Sequence, residues 1–172
     1  MDRDQEYVEF VAAAGGALRR TAFLVCGDWH RADDVVQESL VKLYRSWTKV
    51  DRQGNPLAYA RRIVVNTALD SGRRSWRREV PTADLSTDRV RPGDHADLAG
   101  DQAERDELLT ALGSLAPRQR ACVVLRYYED LSVEQTAAIL GCSAGTVRSQ
   151  SARGLETLRN AIDRNRQIGR TR

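Results

Sequence analysis

Apolar residues in this chain recur three and four positions apart over most of its length. Nowhere do polar and apolar residues alternate for long enough to make a strand. That periodicity restricts the fold to helices, and the breaks between periodic stretches set their ends. A first helix is expected from about Asp4 to Val25, with Phe10, Leu18 and Leu24 among its apolar positions and Gly27 as its stop. Asp28 can cap a second, from about Trp29 to Trp47, whose Val36, Leu40, Leu43, Tyr44 and Trp47 share a face. Gly54-Asn55-Pro56 breaks the chain, and Pro56 suits the first turn of a third helix running to about Arg78. Helices resume near Glu104. Leu108, Leu109, Leu112 and Leu115 mark one, Pro117 opens another through Tyr128, and two more follow before a tail expected to fray after about Arg164.

Residues 80–103 depart from the pattern. They hold two prolines, two glycines and five aspartates, with only two leucines and two valines. Such a stretch cannot offset the entropy of ordering through burial, so a flexible acidic linker is expected. The fold class is therefore all-α. It comprises an N-terminal helical bundle (1–79), the linker (80–103), a C-terminal helix-turn-helix domain (104–165) and a tail (166–172). A length of 172 residues suits two small domains.

Charge follows the same division. Residues 1–79 carry 14 Lys/Arg against 11 Asp/Glu, residues 80–103 carry 2 against 5, and residues 104–172 carry 11 against 8. Two basic blocks flanking an acidic one suit an anionic partner held at two places. No apolar run approaches the roughly 20 residues needed to span a bilayer. The start, MDRDQEYVEF, has no signal-peptide core, so no membrane partner and a cytoplasmic location are expected. Cys26, Cys122 and Cys142 are widely spaced and form no CxxC pair, and His30 and His95 lie far apart. Buried, reduced thiols are expected, with no metal and no cofactor. An enzyme acting on nucleic acid would need clustered carboxylates, His or Cys. The Asp33-Asp34 pair has no His or Cys with it, so no enzyme is expected.

The segment Leu131 to Arg164 is the most informative. Ser132-Val-Glu-Gln135 is a capping box that starts a short helix through Leu140. Ala137 is small where a second helix must cross, Gly141 suits a turn requiring positive φ, and Ser143 can cap the next helix. Val147, Ser151, Leu155, Leu158 and Ile162 form an inward stripe at helical spacing. The opposite face offers Thr146, Arg148, Ser149, Ala152 and Arg153. Arginine can bind guanine O6 and N7 with two hydrogen bonds, Ser and Thr can reach bases or phosphates, and Ala permits close approach. The segment reads as a DNA-binding helix-turn-helix, against an ordinary helical hairpin with a solvated arginine face.

Two other segments carry charge in patterns. From Tyr59 to Arg78 there are six arginines and one acidic residue, Asp70. Arg62, Asn66, Arg73 and Arg77 share a face, with Tyr59, Ile63 and Thr67 on the other, and Trp76 sits among arginines. Guanidiniums can hold phosphates, Asn can read a base edge, and an exposed indole can stack on an unpaired base. The alternative is a solvated amphipathic helix with Trp76 buried. Asp33, Asp34, Gln37 and Glu38 give the second helix an acidic face. It suits either the helix dipole or a protein partner with a basic groove.

Taken in order, three strings resemble bacterial RNA polymerase sigma factors of the extracytoplasmic-function type. They are Ala32-Asp-Asp-Val-Val-Gln-Glu-Ser-Leu40, then Tyr59-Ala-Arg-Arg-Ile-Val-Val-Asn-Thr-Ala68, then Leu115-Ala-Pro-Arg-Gln-Arg120 with Leu131-Ser-Val-Glu-Gln-Thr-Ala137 and Leu140 through Ser149. The short length, with the strings GDWHRADD (27–34) and RRSWRREVP (73–81), resembles an actinobacterial sigma-E-like subgroup. The resemblance implies that Asp33, Asp34, Gln37 and Glu38 bind the clamp helices of the largest subunit of core RNA polymerase. Arg61, Arg62, Asn66, Arg73, Arg74, Trp76 and Arg77, with the Thr48–Asn55 loop, would recognise and help melt the promoter −10 element. Ser143, Thr146, Arg148, Ser149, Ala152 and Arg153 would read the −35 element. The polymerase flap and an anti-sigma factor are further partners it implies, with the acidic linker threading through the polymerase. Asp70 and Gly72 interrupt the basic face of the third helix. The competing reading is a helix-turn-helix repressor or activator that binds DNA without polymerase.

Overall fold

A computed structural model describes residues 2–51, 54–76 and 101–170. The described residues form helices and no strand. The chain divides into two compact units, Met1–Arg91 and Pro92–Arg172.

The first unit is a bundle of α1 (Arg3–Cys26), α2 (Trp29–Asp51) and α3 (Pro56–Trp76), each packed on the other two. Gly27 ends α1 in the left-handed region, φ 80°, and its N–H donates to Phe23 O. Asp28 then caps α2, its Oδ1 accepting from His30 N at 2.9 Å. Asn55 does the same for α3, accepting from Ala58 N at 3.0 Å. The core holds Leu18, Ala22 and Val25 of α1, Leu43, Trp47 and Val50 of α2, and Ala60, Val64 and Val65 of α3. Tyr7 meets Trp47 edge-on at 5.3 Å, and Phe23 stacks on Trp29 at 3.9 Å.

Two expectations shift here. The core stripe of α2 runs through Ala32, Val35, Ser39, Leu43, Trp47 and Val50. Val36 and Leu40 are half-buried, and Tyr44 is exposed. Because Val50 continues the stripe into the core, α2 lasts a turn beyond Trp47. Thr48 to Asp51 are therefore helical rather than loop. On α3 the core face is Ala60, Val64, Val65, Thr67 and Ala68, while Tyr59 and Ile63 are half-buried.

The second unit contains α4 (Gln102–Gly113), α5 (Pro117–Val123), a π-helical turn (Val124–Tyr128), α6 (Val133–Leu140) and α7 (Ala144–Arg170). The helix expected from Pro117 to Tyr128 widens at Val124, where Glu129 N–H donates to Val124 O at 3.0 Å, a five-residue step. Asp101 Oδ1 accepts from Glu104 N at 2.9 Å and starts α4, so the expected linker's last two residues, 102 and 103, are helical. The rest of that linker, 80–100, lies outside the described residues. The expected fraying after Arg164 is also corrected. α7 runs to Arg170, and Arg166 meets Glu107 of α4 at 3.2 Å. Where α7 crosses α5, Gly154 has no side chain to spare. A Cβ there would stand 2.7 Å from Val123 Cγ2 and 3.3 Å from Gln119 O.

Candidate nucleic-acid interface

In the second unit, local chemistry builds the helix-turn-helix. Ser132 Oγ accepts from Gln135 N at 3.0 Å while Gln135 Oε1 accepts from Ser132 N at 2.8 Å, completing the capping box of α6. Gly141 turns the chain at φ 62°, and Cys142 N–H donates back to Ala137 O at 3.2 Å. Arg118 of α5 donates to Leu140 O at 3.1 Å, which ties the turn to the rest of the unit. Ser143 Oγ accepts from Thr146 N at 3.1 Å and starts α7. Val147 is fully buried, as is Thr136 on the facing helix.

This frame leaves Ser143, Thr146, Arg148, Ser149, Ala152 and Arg153 all exposed along the first three turns of α7. The two hydroxyls of Ser143 and Thr146 lie 2.9 Å apart and bond each other. Arg148 Nη2 stands 3.8 Å from Glu134 Oε1, with both side chains mostly in solvent. Glu134 was not among the expected site residues. Its place inside the capping box, one helix before the arginine, was the available signal. The inward side of α7 is Val147, Ser151, Gly154 and Ala161, with Leu155, Leu158 and Ile162 only half-buried. Behind the motif, burial pushes the Cys122 thiol up to about 11.

In the first unit, Arg62, Arg73 and Arg74 of α3 are exposed, and Arg61 and Asn66 are half-buried. Asn66 Nδ2 donates to Arg62 O at 2.9 Å, which holds the amide against its own helix. Trp76 ends α3. Its side chain, and Arg77, lie outside the described residues.

The acidic face of α2 separates into two parts. Asp34, Gln37 and Glu38 are exposed, and Val41, 54% exposed, extends the same side of the helix by one turn. Asp33 points elsewhere. Its Oδ1 accepts from Arg19 Nε at 2.5 Å, and that guanidinium is buried and lies 4.1 Å from the Trp29 ring centroid. The expectation that Asp33 belongs to an open acidic face therefore meets a side chain already engaged within the bundle. Glu38 pairs with Lys42 at 2.7 Å, and Lys42 Nζ donates to Thr67 Oγ1 of α3 at 3.1 Å. Below this face, Tyr44 Oη donates to Asp4 Oδ1 at 2.8 Å, and that bond raises its pKa.

Among the described residues, no group of three or more His, Cys, Asp or Glu could hold a metal ion, and no helix is long and apolar enough to cross a membrane.

The chain matches the family Sigma-70 region 2 over residues 10–78 and Sigma-70, region 4 over residues 105–158. It is 39% identical over 158 residues to the RNA polymerase sigma-E factor of Streptomyces coelicolor, covering 91% of this chain and 86% of that protein. It is 34% identical to the ECF RNA polymerase sigma factor SigE of Mycolicibacterium smegmatis, covering 90% of this chain and 60% of that one. The fold is similar to that of the sigma factor RpoE from Bartonella quintana, solved with the anti-sigma factor NepR. The TM-score is 0.73 at 22% identity, over 92% of this chain and 98% of that chain. With both regions in place and the relatives aligned over most of its length, the chain belongs to the extracytoplasmic-function family of RNA polymerase sigma factors.

Proposed function

We propose that this sigma factor divides its work among three surfaces. Asp34, Gln37 and Glu38 on α2 dock on core polymerase, α3 recognises and helps melt the −10 element, and the start of α7 reads the −35 element. The observation that carries this reading is the frame around α7. Two capped helices, a left-handed glycine and a buried Val147 leave six small, polar or basic side chains exposed on one stretch of helix. That is the size and chemistry a major groove accepts.

Asp33 supports the docking surface from behind through Arg19 rather than joining it. On α3, Arg62, Arg73 and Arg74 supply phosphate contacts, and Asn66 meets a base by releasing the Arg62 carbonyl that its amide bonds in this structure. Arg77 and Trp76 remain part of this proposed −10 surface, as does Arg61. The domain limits 1–79 and 104–165 fit this division, with α4 starting two residues before the second. The protein performs no bond chemistry of its own. It positions a polymerase, in the cytoplasm, where polymerase and promoter are found. An anti-sigma factor of the kind solved with the Bartonella relative is a further proposed partner.

In vitro transcription with core polymerase over a randomised promoter library tests the proposal. Initiation that depends on this protein, with enrichment at both −10 and −35, is the expected result. Tight binding to duplex DNA by the chain alone, with no initiation, would favour the polymerase-independent regulator instead.

A further inference from the structure

From Ser132 to Leu155 the helix-turn-helix carries one carboxylate, Glu134, with two arginines, Arg148 and Arg153. A carboxylate on a surface that meets phosphates works against binding. This one stands in the first turn of α6, across the motif from α7. Its Oε1 lies 3.8 Å from Arg148 Nη2, and both side chains are mostly in solvent. The single acidic group of the motif therefore sits against the arginine read above as a base contact. An exposed arginine turns freely about several bonds, so it can reach a phosphate on any sequence as well as a guanine edge on the right one. A carboxylate beside it changes that balance. The guanidinium has N–H donors enough to bind guanine O6 and N7 while another still faces Glu134. Swinging out to a phosphate separates the pair and leaves the carboxylate close to a like charge. Glu134 thus costs little on the preferred base and more on the others, and specificity is that difference.

We propose that Glu134 is a specificity-determining residue for the −35 element. It restrains the Arg148 guanidinium and disfavours promoters that lack the base Arg148 binds. This rests on the reading of α7 as the −35 helix with Arg148 as a base contact. The competing role is structural, since an acidic residue in the first turn of α6 also suits the dipole of that helix.

The test measures the affinity of the complex with core polymerase for promoters that differ only in the −35 element. Arg148→Ala first identifies the position whose discrimination depends on Arg148. At that position Glu134→Gln should narrow discrimination by about two- to fivefold, the range of an exposed ion pair. The change should come from tighter binding to the non-preferred bases, with discrimination at other −35 positions unaltered. In the Arg148→Ala background, Glu134→Gln should alter discrimination no further. Glu134→Asp keeps the charge in the first turn of α6 but shortens its reach, and should behave like Glu134→Gln. Affinity raised equally on all sequences would reduce Glu134 to repulsion of the backbone and overturn the inference. A change in discrimination that persists in the Arg148→Ala background would also overturn it, because the carboxylate would then act on DNA by itself. So would parent-like discrimination in Glu134→Asp with a lower unfolding midpoint in Glu134→Gln, the mark of a helix-dipole role. If Arg148→Ala leaves discrimination intact at every position, the base-contact reading of Arg148 fails first and the inference with it.

Discussion

Arg19 Nε lies 2.5 Å from Asp33 Oδ1, with the Arg19 side chain 8% exposed, so two neighbouring aspartates on α2 have different tasks. Asp33 neutralises a buried cation between α1 and α2. Asp34, one residue on, faces solvent.

Asp33→Asn should therefore destabilise the first unit by about 2–3 kcal/mol, because a charge-assisted hydrogen bond is lost and a buried guanidinium loses its counter-charge. Trp29, Trp47 and Trp76 all lie in that unit, so urea unfolding followed by tryptophan fluorescence reports on it alone. Asp34→Arg should unfold like the parent and fail to retain core polymerase in a pull-down. Retention of core by Asp34→Arg would remove α2 from the docking surface.

Arg148→Ala should weaken promoters selectively, by about 1–3 kcal/mol for those with a particular −35 base and little for the rest. Binding of the polymerase complex to a panel of −35 variants measures this. A uniform loss would mark Arg148 as a phosphate contact. Glu134→Gln should change affinity for the preferred sequence by less than about 1 kcal/mol, since an exposed pair 3.8 Å apart contributes little.

Gly154→Val should destabilise the second unit by about 1–3 kcal/mol through overpacking against Val123 and Gln119 O. Circular dichroism at 222 nm, with the tryptophan signal unchanged, would locate the loss there. Because Gly154 lets α7 lie close on α5, −35 binding should weaken for all sequences alike. Parent-like stability would mean that α5 and α7 separate without cost.

Cys122 introduces a pH dependence. Its thiol ionises near 11 when folded, against an ordinary value of 9.0. Between those values the unfolded chain has lost the proton that the folded chain keeps, so stability falls as pH rises from about 9 to 11. Below 9 the residue contributes no slope. Unfolding of Cys122→Ala across this range should show a shallower decline than the parent, and equal declines would assign the loss to other groups.

Much of the fold was legible because its signals are local. Gly27, Asp28, Ser132, Gly141 and Ser143 each act on backbone within a few residues, and each does so at the expected place. The exposed residues of α7 followed from one buried Val147 and a period of 3.6. Less legible was the rotation of α2 and α3 about their own axes. Tyr44 and Trp47 were both expected on the core stripe, yet Trp47 packs edge-on against Tyr7 in the core while Tyr44 donates to Asp4 at the surface. Periodicity finds a stripe but not its exact centre, because which residue is covered depends on the neighbouring helix.

By itself the sequence determined an all-helical chain of two units with a capped helix-turn-helix, since caps, turns and apolar spacing act within a single segment. Only the tertiary structure decided which charges meet. Arg19 and Asp33 are 14 positions apart, Lys42 and Thr67 are 25 apart, and Arg31 reaches Gly72 across a helix interface. An ion pair or a hydrogen bond depends on distances of a few ångströms in space. Spacing along one helix does not set the distance to the next.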